Sequence, residues 1–99
     1  MPEKQIFLQT VWSEDWKEAY TALSADRQRS CDHAAIALIK RESSSGLRVK
    51  PIQPDKYYFE ARVNSGDRIV FRVEAGTIFF MNIVKHDDID RYGRRPRSR

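Results

Sequence analysis

Apolar and polar residues alternate most regularly between Tyr57 and Tyr92, where three apolar runs are separated by two turn signals and followed by a charged exit. In the first run Tyr57, Phe59, Ala61 and Val63 fall on one face of a strand, and Tyr58, Glu60 and Arg62 on the other. Asn64-Ser65-Gly66-Asp67 predicts a hairpin loop. In the second run Ile69, Phe71 and Val73 face one way, and Arg68, Val70 and Arg72 the other. Glu74-Ala75-Gly76 predicts the next turn. Thr77 to Val84 is apolar on both faces, as expected of a strand buried between two layers. Lys85-His86-Asp87-Asp88 then leaves the sheet.

Upstream, Gln5 to Val11 predicts a short strand. Ser13 suits a helix N-cap, with Glu14 and Asp15 in the first turn where the helix dipole favours acids. Trp12, Trp16, Ala19, Tyr20 and Leu23 recur at helical spacing, which reads as core packing. Ser24 suits a second N-cap, and the alanine-rich segment after it lacks Gly and Pro, so it favours helix. Its buried stripe is Cys31, Ala34, Ala35, Leu38 and Ile39, with Asp26, Arg27, Arg29, Asp32, Lys40 and Arg41 mostly on the other side. The two helices are joined almost directly, which predicts an antiparallel hairpin. Ser43-Ser44-Ser45-Gly46 ends the second helix. The segment Leu47 to Pro54 is extended, and Pro51 and Pro54 argue against a central strand. Leu47, Val49 and Ile52 would pin it to the core while Arg48 and Lys50 face outward.

The expected architecture is α+β: a short N-terminal strand, an antiparallel helical hairpin, then a three-strand antiparallel meander with the helices on one sheet face. The other face would carry Glu60, Arg62, Arg68 and Arg72, with Lys85 and His86 entering at the end of the adjacent strand. Residues 1–92 read as a single domain and residues 93–99 as a basic, mobile tail.

Composition narrows the setting. The 99 residues are 40% apolar and 32% charged, the balance of a soluble globular domain. No run approaches the roughly 18 apolar residues of a membrane span. The N-terminus has no basic segment leading into a long apolar one, so a cytoplasmic setting is expected. Cys31 is alone, which excludes a disulfide framework and a multi-cysteine zinc site within one chain. His33 sits beside Asp32 with no matching ligand nearby. The net charge of +4 favours an anionic partner, and it is concentrated in the four arginines between Arg94 and Arg99.

Three local motifs resemble the RelE/ParE superfamily, the small toxins of bacterial type II toxin–antitoxin pairs. They are Gly46-Leu47-Arg48-Val49-Lys50-Pro51 leading into the sheet, Arg68-Ile69-Val70-Phe71 followed by Arg72-Val73 at the meander's centre, and the exit Val84-Lys85-His86-Asp87-Asp88-Ile89. The resemblance covers nearly the whole chain to Tyr92. It implies one of two activities. RelE-like members are ribonucleases that enter the ribosomal decoding site and cut mRNA; ParE-like members poison DNA gyrase. A catalytically silent homologue that only binds its antitoxin is a third reading. In each, an antitoxin protein wraps the toxin, forming a hetero-oligomer.

For the nuclease, RNA is cut by its own 2′-hydroxyl, which needs a base, positive charge at the phosphorus and an acid for the leaving oxygen, and requires no metal or cofactor. The resemblance assigns Arg68 to the transition state, with Arg62 and Arg72 sharing the phosphate. The alternative for Arg68 is a salt bridge to Glu60. His86 would exchange a proton, or else serve as a surface partner of Asp87 and Asp88. Glu60 would be a general base and Tyr92 a stacking or proton-donating group. Lys85, Lys50 and Arg48 would hold phosphates, and Arg91 and the tail ribosomal RNA. Many relatives carry an aromatic residue four positions after the histidine; here that residue is Asp90.

Overall fold

The computed structural model describes residues 7–42 and 46–94. In chain order these form β1 (Gln9–Trp12), α1 (Glu14–Thr21), α2 (Ala25–Ile39), β2 (Lys50–Pro51), β3 (Phe59–Arg62), β4 (Asp67–Glu74), β5 (Thr77–Lys85), a 3-10 turn (His86–Asp88) and α3 (Asp90–Arg94). Gln5 and Ile6 of the predicted first strand, the serines 43–45 and most of the basic tail lie outside the described residues. None of the described helices is long and apolar enough to cross a membrane.

Both predicted caps are formed. The Ser13 hydroxyl accepts the Trp16 amide at 3.0 Å, and Ser24 accepts that of Arg27 at 3.4 Å. Ser13 also donates to the Met81 carbonyl at 2.6 Å, which fastens the start of α1 to the sheet.

The meander β3-β4-β5 is present, within a larger sheet than expected. There are five strands in the order β1-β5-β4-β3-β2. β1 pairs parallel with β5, Thr10 opposite Ile78, and takes the edge that the meander leaves open. β2 is two residues long and pairs Lys50 with Glu60 at the opposite edge, where Pro51 does not interrupt a ladder on both sides. The β4–β5 turn, Ala75-Gly76, has positive φ at both positions (52° and 82°), the backbone of a tight hairpin whose twist matches the strands. Register slips between Val70 and Phe71: Val70 faces Asn82 and Phe71 faces Phe80, leaving Met81 as the extra residue of a bulge.

Alternation along β4 divides the interior in two. Ile69 and Phe71 join Ile78, Phe80, Ile83 and Ala61 against Trp16, Cys31, Ala34, Ala35 and Leu38 of the helices. Val70, on the opposite face, packs with Ile52, Ile89 and Tyr92, supported by Tyr58, Met81 and Val84. This second core corrects the expectation of an open basic face. The residues after β5 fold back over the sheet, because Ile89 and Tyr92 are large apolar groups with bare sheet beneath them. Gly93 makes this possible: a Cβ there would lie 1.7 Å from the Gln53 carbonyl oxygen. Val49, expected in the core, is 47% exposed, while Leu47 packs into the helical core and Ile52 into the second.

Candidate functional site

β2, β3 and the chain leaving β5 enclose a groove of about 460 Å³ lined by Lys50, Glu60, His86, Asp87, Ile89 and Asp90, among others. Each arrives by a separate constraint. Lys50 and Glu60 are register partners, so their side chains share a face and their opposite charges attract. Glu60 is 7% exposed and forms the groove's inner wall. His86 follows β5 directly and is held through its backbone, its amide donating to the Gly66 carbonyl at 2.8 Å. Its ring is 62% exposed, with Nδ1 3.5 Å from the Asp87 carboxylate. Asp90 also lines the groove and contributes a carboxylate to its rim. The groove thus pairs a buried carboxylate with a lysine and an accessible imidazole, the groups needed to move a proton beside a bound anion.

The arginines do not gather there. Arg68 is directly opposite Arg62, an unfavourable like-charge pair, and the two side chains part. Arg68 Nη1 donates to the carbonyls of Asn64 (2.8 Å), Asp67 (3.1 Å) and Ser65 (3.4 Å), with Nε 3.8 Å from Glu60. Its side chain is 12% exposed, so the salt bridge weighed as its alternative is formed. Arg62 lines a separate cleft with Ser30 and His33. Arg72 lies over the Phe79 ring at 4.0 Å and pairs with Glu74 at 2.7 Å. Tyr92 belongs to the second core, its hydroxyl taken by Asn82 Nδ2 at 2.6 Å. Arg48, Lys85 and Arg91 are exposed, and Arg91 sits 3.6 Å from Asp88.

Sequence reasoning missed the most tightly organised charges. Asp67, read as a turn residue, is 2% exposed. Arg27, placed on the solvent side of α2, grips it with two hydrogen bonds of 2.9 and 2.7 Å. Asn64 donates to the same carboxylate at 2.9 Å, and Lys85 Nζ is 3.7 Å away. The Arg27 hydrogen bonds, ahead of the opposing effect of burial, hold Asp67 down to about 2. The local signal was Asn64, whose side chain accepts the Gly66 and Asp67 amides and shapes the loop. Nothing local pointed to Arg27. Elsewhere, burial pushes the Cys31 thiol up to about 12, and among the described residues no cluster of His, Cys, Asp and Glu could hold a metal.

A second concavity, of about 350 Å³, opens on the helical side between Trp12, Trp16, Tyr20, Ala35, Ile36 and Ile39. Leu8, Val11, Trp12 and Ile36 are exposed apolar residues.

No family model and no curated protein matches the sequence. Solved structures do match the fold. The E. coli DinJ–YafQ toxin–antitoxin complex aligns at TM-score 0.69 with 12% identity, covering 86% of this chain and 96% of that one. The RelB–RelE antitoxin–toxin complex from Methanococcus jannaschii aligns at 0.65 with 17% identity, over 83% and 96%. The chain has the RelE/ParE-like toxin fold. A YoeB/ParE toxin from Agrobacterium tumefaciens aligns at 0.62 with 19% identity, over 80% and 99%. The match therefore spans nearly the whole length of each of these toxin-fold chains. At such identities it speaks for the backbone, and the chemistry of this chain is read from its own side chains.

Proposed function

We propose that this chain is the toxin of a toxin–antitoxin pair and cuts ribosome-bound mRNA by attack of a 2′-hydroxyl on the adjacent phosphate. The observation that supports this most is the groove in which Lys50, Glu60 and His86 meet. Glu60 takes the proton of the 2′-hydroxyl as its oxygen bonds to phosphorus. Lys50 balances the charge that builds on the non-bridging oxygens. His86, protonated, gives its proton to the departing 5′-oxygen, leaving a 2′,3′-cyclic phosphate and a 5′-hydroxyl. Arg68 orients Glu60 from behind, since its guanidinium is already engaged by loop carbonyls. Arg48, Lys85 and Arg91 supply exposed positive charge for RNA phosphates, contacts that weaken with salt. The ribosome presents the substrate in line, which a groove this open does not achieve alone.

The antitoxin is the second partner of this reading. Its docking surface is the apolar cleft by Trp12 and Ile36, which shares no lining residue with the groove. Solved chains of this fold occur as toxin–antitoxin complexes, and an apolar segment of the antitoxin would cover these exposed side chains.

Cleavage of an mRNA during translation, mapped by primer extension, tests the proposal. Wild-type protein should cut at defined positions, and His86→Ala should cut on the order of a hundredfold more slowly, the contribution of one general acid. Glu60→Gln and Lys50→Ala should be similarly impaired. Intact mRNA beside inhibited DNA gyrase would replace this reading with the gyrase-directed one.

A further inference from the structure

We infer that Arg27 and Asp67 form a positioning clamp that sets where His86 stands at the groove, a role that rests on the nuclease reading only for its effect on rate. Arg27 lies on α2 and Asp67 opens β4, yet the pair is bidentate at 2.9 and 2.7 Å. Neither residue lines the groove. Their connection to it runs through the loop 64–67. Asp67 closes this loop together with Asn64, which donates to the Asp67 carboxylate and accepts the Gly66 and Asp67 amides. The loop then presents its carbonyls in two directions. The Gly66 carbonyl accepts the His86 amide at 2.8 Å, one step beyond the last β4–β5 register pair, Asp67 with Lys85. The Asn64 and Asp67 carbonyls hold Arg68, which in turn lies 3.8 Å from Glu60. One loop therefore carries both the imidazole and the residue that orients the carboxylate.

The energetics favour a positioning role. A buried carboxylate is expensive to desolvate, and a buried ion pair adds little stability over apolar residues of the same volume. It does fix a geometry, because a bidentate guanidinium accepts only a narrow range of carboxylate orientations. Lys85, the residue next to His86, already has its Nζ 3.7 Å from Asp67 and is the cation placed to replace Arg27. Without Arg27, Asp67 should keep this counter-charge and the chain should fold, with Lys85 drawn inward and the adjacent His86 displaced.

Two readouts test the clamp. The first is hydrogen exchange of the folded protein, comparing the His86 amide with amides in the middle of β4. In Arg27→Ala and Asp67→Asn the His86 amide should lose about tenfold more protection than the strand centre, as local opening does. The second is steady-state cleavage of ribosome-bound mRNA, where both variants should lose on the order of tenfold in kcat with KM near wild type. Ala37→Gly, ten residues from Arg27 along α2 and destabilised by about 1 kcal/mol, should lower protection evenly and leave kcat unchanged. Loss of His86 protection only in step with the strand centre, or wild-type kcat in both clamp variants, overturns the inference. If wild-type protein cuts no mRNA, the nuclease reading fails by itself, and the exchange ratio, which needs no substrate, still decides whether the clamp holds His86.

Discussion

Asp67→Asn tests the electrostatics of the fold quantitatively. Asp67 is buried and bonded to Arg27 and Asn64, which hold its pKa at about 2 against an ordinary value of 3.8. A pKa held down means that the native state prefers the ionised form, so the unfolded chain takes up a proton first as pH falls. The stabilisation is complete above about pH 5, declines below about pH 4, and is lost as pH passes through about 2. At about 1.4 kcal/mol per pH unit, the ionised Asp67 contributes about 2 kcal/mol at neutral pH. Urea unfolding of wild type and Asp67→Asn in parallel isolates this contribution, because every other titrating group is common to both. At pH 7 the midpoints should differ by about 1–2 M urea. By pH 2.5 the difference should shrink to about a third of its free energy. A gap of constant size from pH 7 to pH 2.5 would refute the reasoning, because it would mean that the carboxylate's charge contributes nothing.

Three further outcomes follow from packing. Gly93→Ala places a methyl against the Gln53 carbonyl, a backbone group that cannot rotate away, so α3 must lift from the sheet at about 1–3 kcal/mol; trypsin should then cleave after Arg91 faster than in wild type. Ser13→Ala removes the Trp16 cap and leaves the Met81 carbonyl without its donor, about 1–2 kcal/mol that should lower the melting temperature by several degrees; Ser13→Thr should retain most of it. Cys31, buried with its thiol pushed up to about 12, should resist a thiol reagent at pH 8 in the folded protein and react at once in denaturant.

The groove itself is less basic than the chain's charge suggested. Lys50 and His86 share it with Glu60, Asp87 and Asp90, while Arg62, Arg68 and Arg72 are taken up by a cleft, a loop and an aromatic ring. Alternation along a strand correctly put Glu60 and Arg68 on one face, but sharing a face did not mean sharing a site. An arginine on a sheet has a long side chain and several competing acceptors, and the nearest unsatisfied carbonyl or ring captures it.

Periodicity and caps were enough to place Ser13 and Ser24 at their helix starts, the stripe from Cys31 to Leu38 on the core, Pro51 at an edge, and the three strands of the meander. These features depend on contacts between residues near in sequence, where backbone geometry leaves few choices. Tertiary structure alone decided the rest. β1 joins β5 across 68 residues, from Gln9 to Thr77, because an exposed strand edge needs a partner wherever one is found. Ile89 and Tyr92 cover the second sheet face only because a bare apolar surface lay within reach. Arg27 finds Asp67 across 40 residues, and no periodic pattern encodes a single long-range ion pair. His86 stood out as a candidate from its type and neighbours; its company of Lys50 and Glu60 came from the register of β2 on β3 and the turn that ends β5.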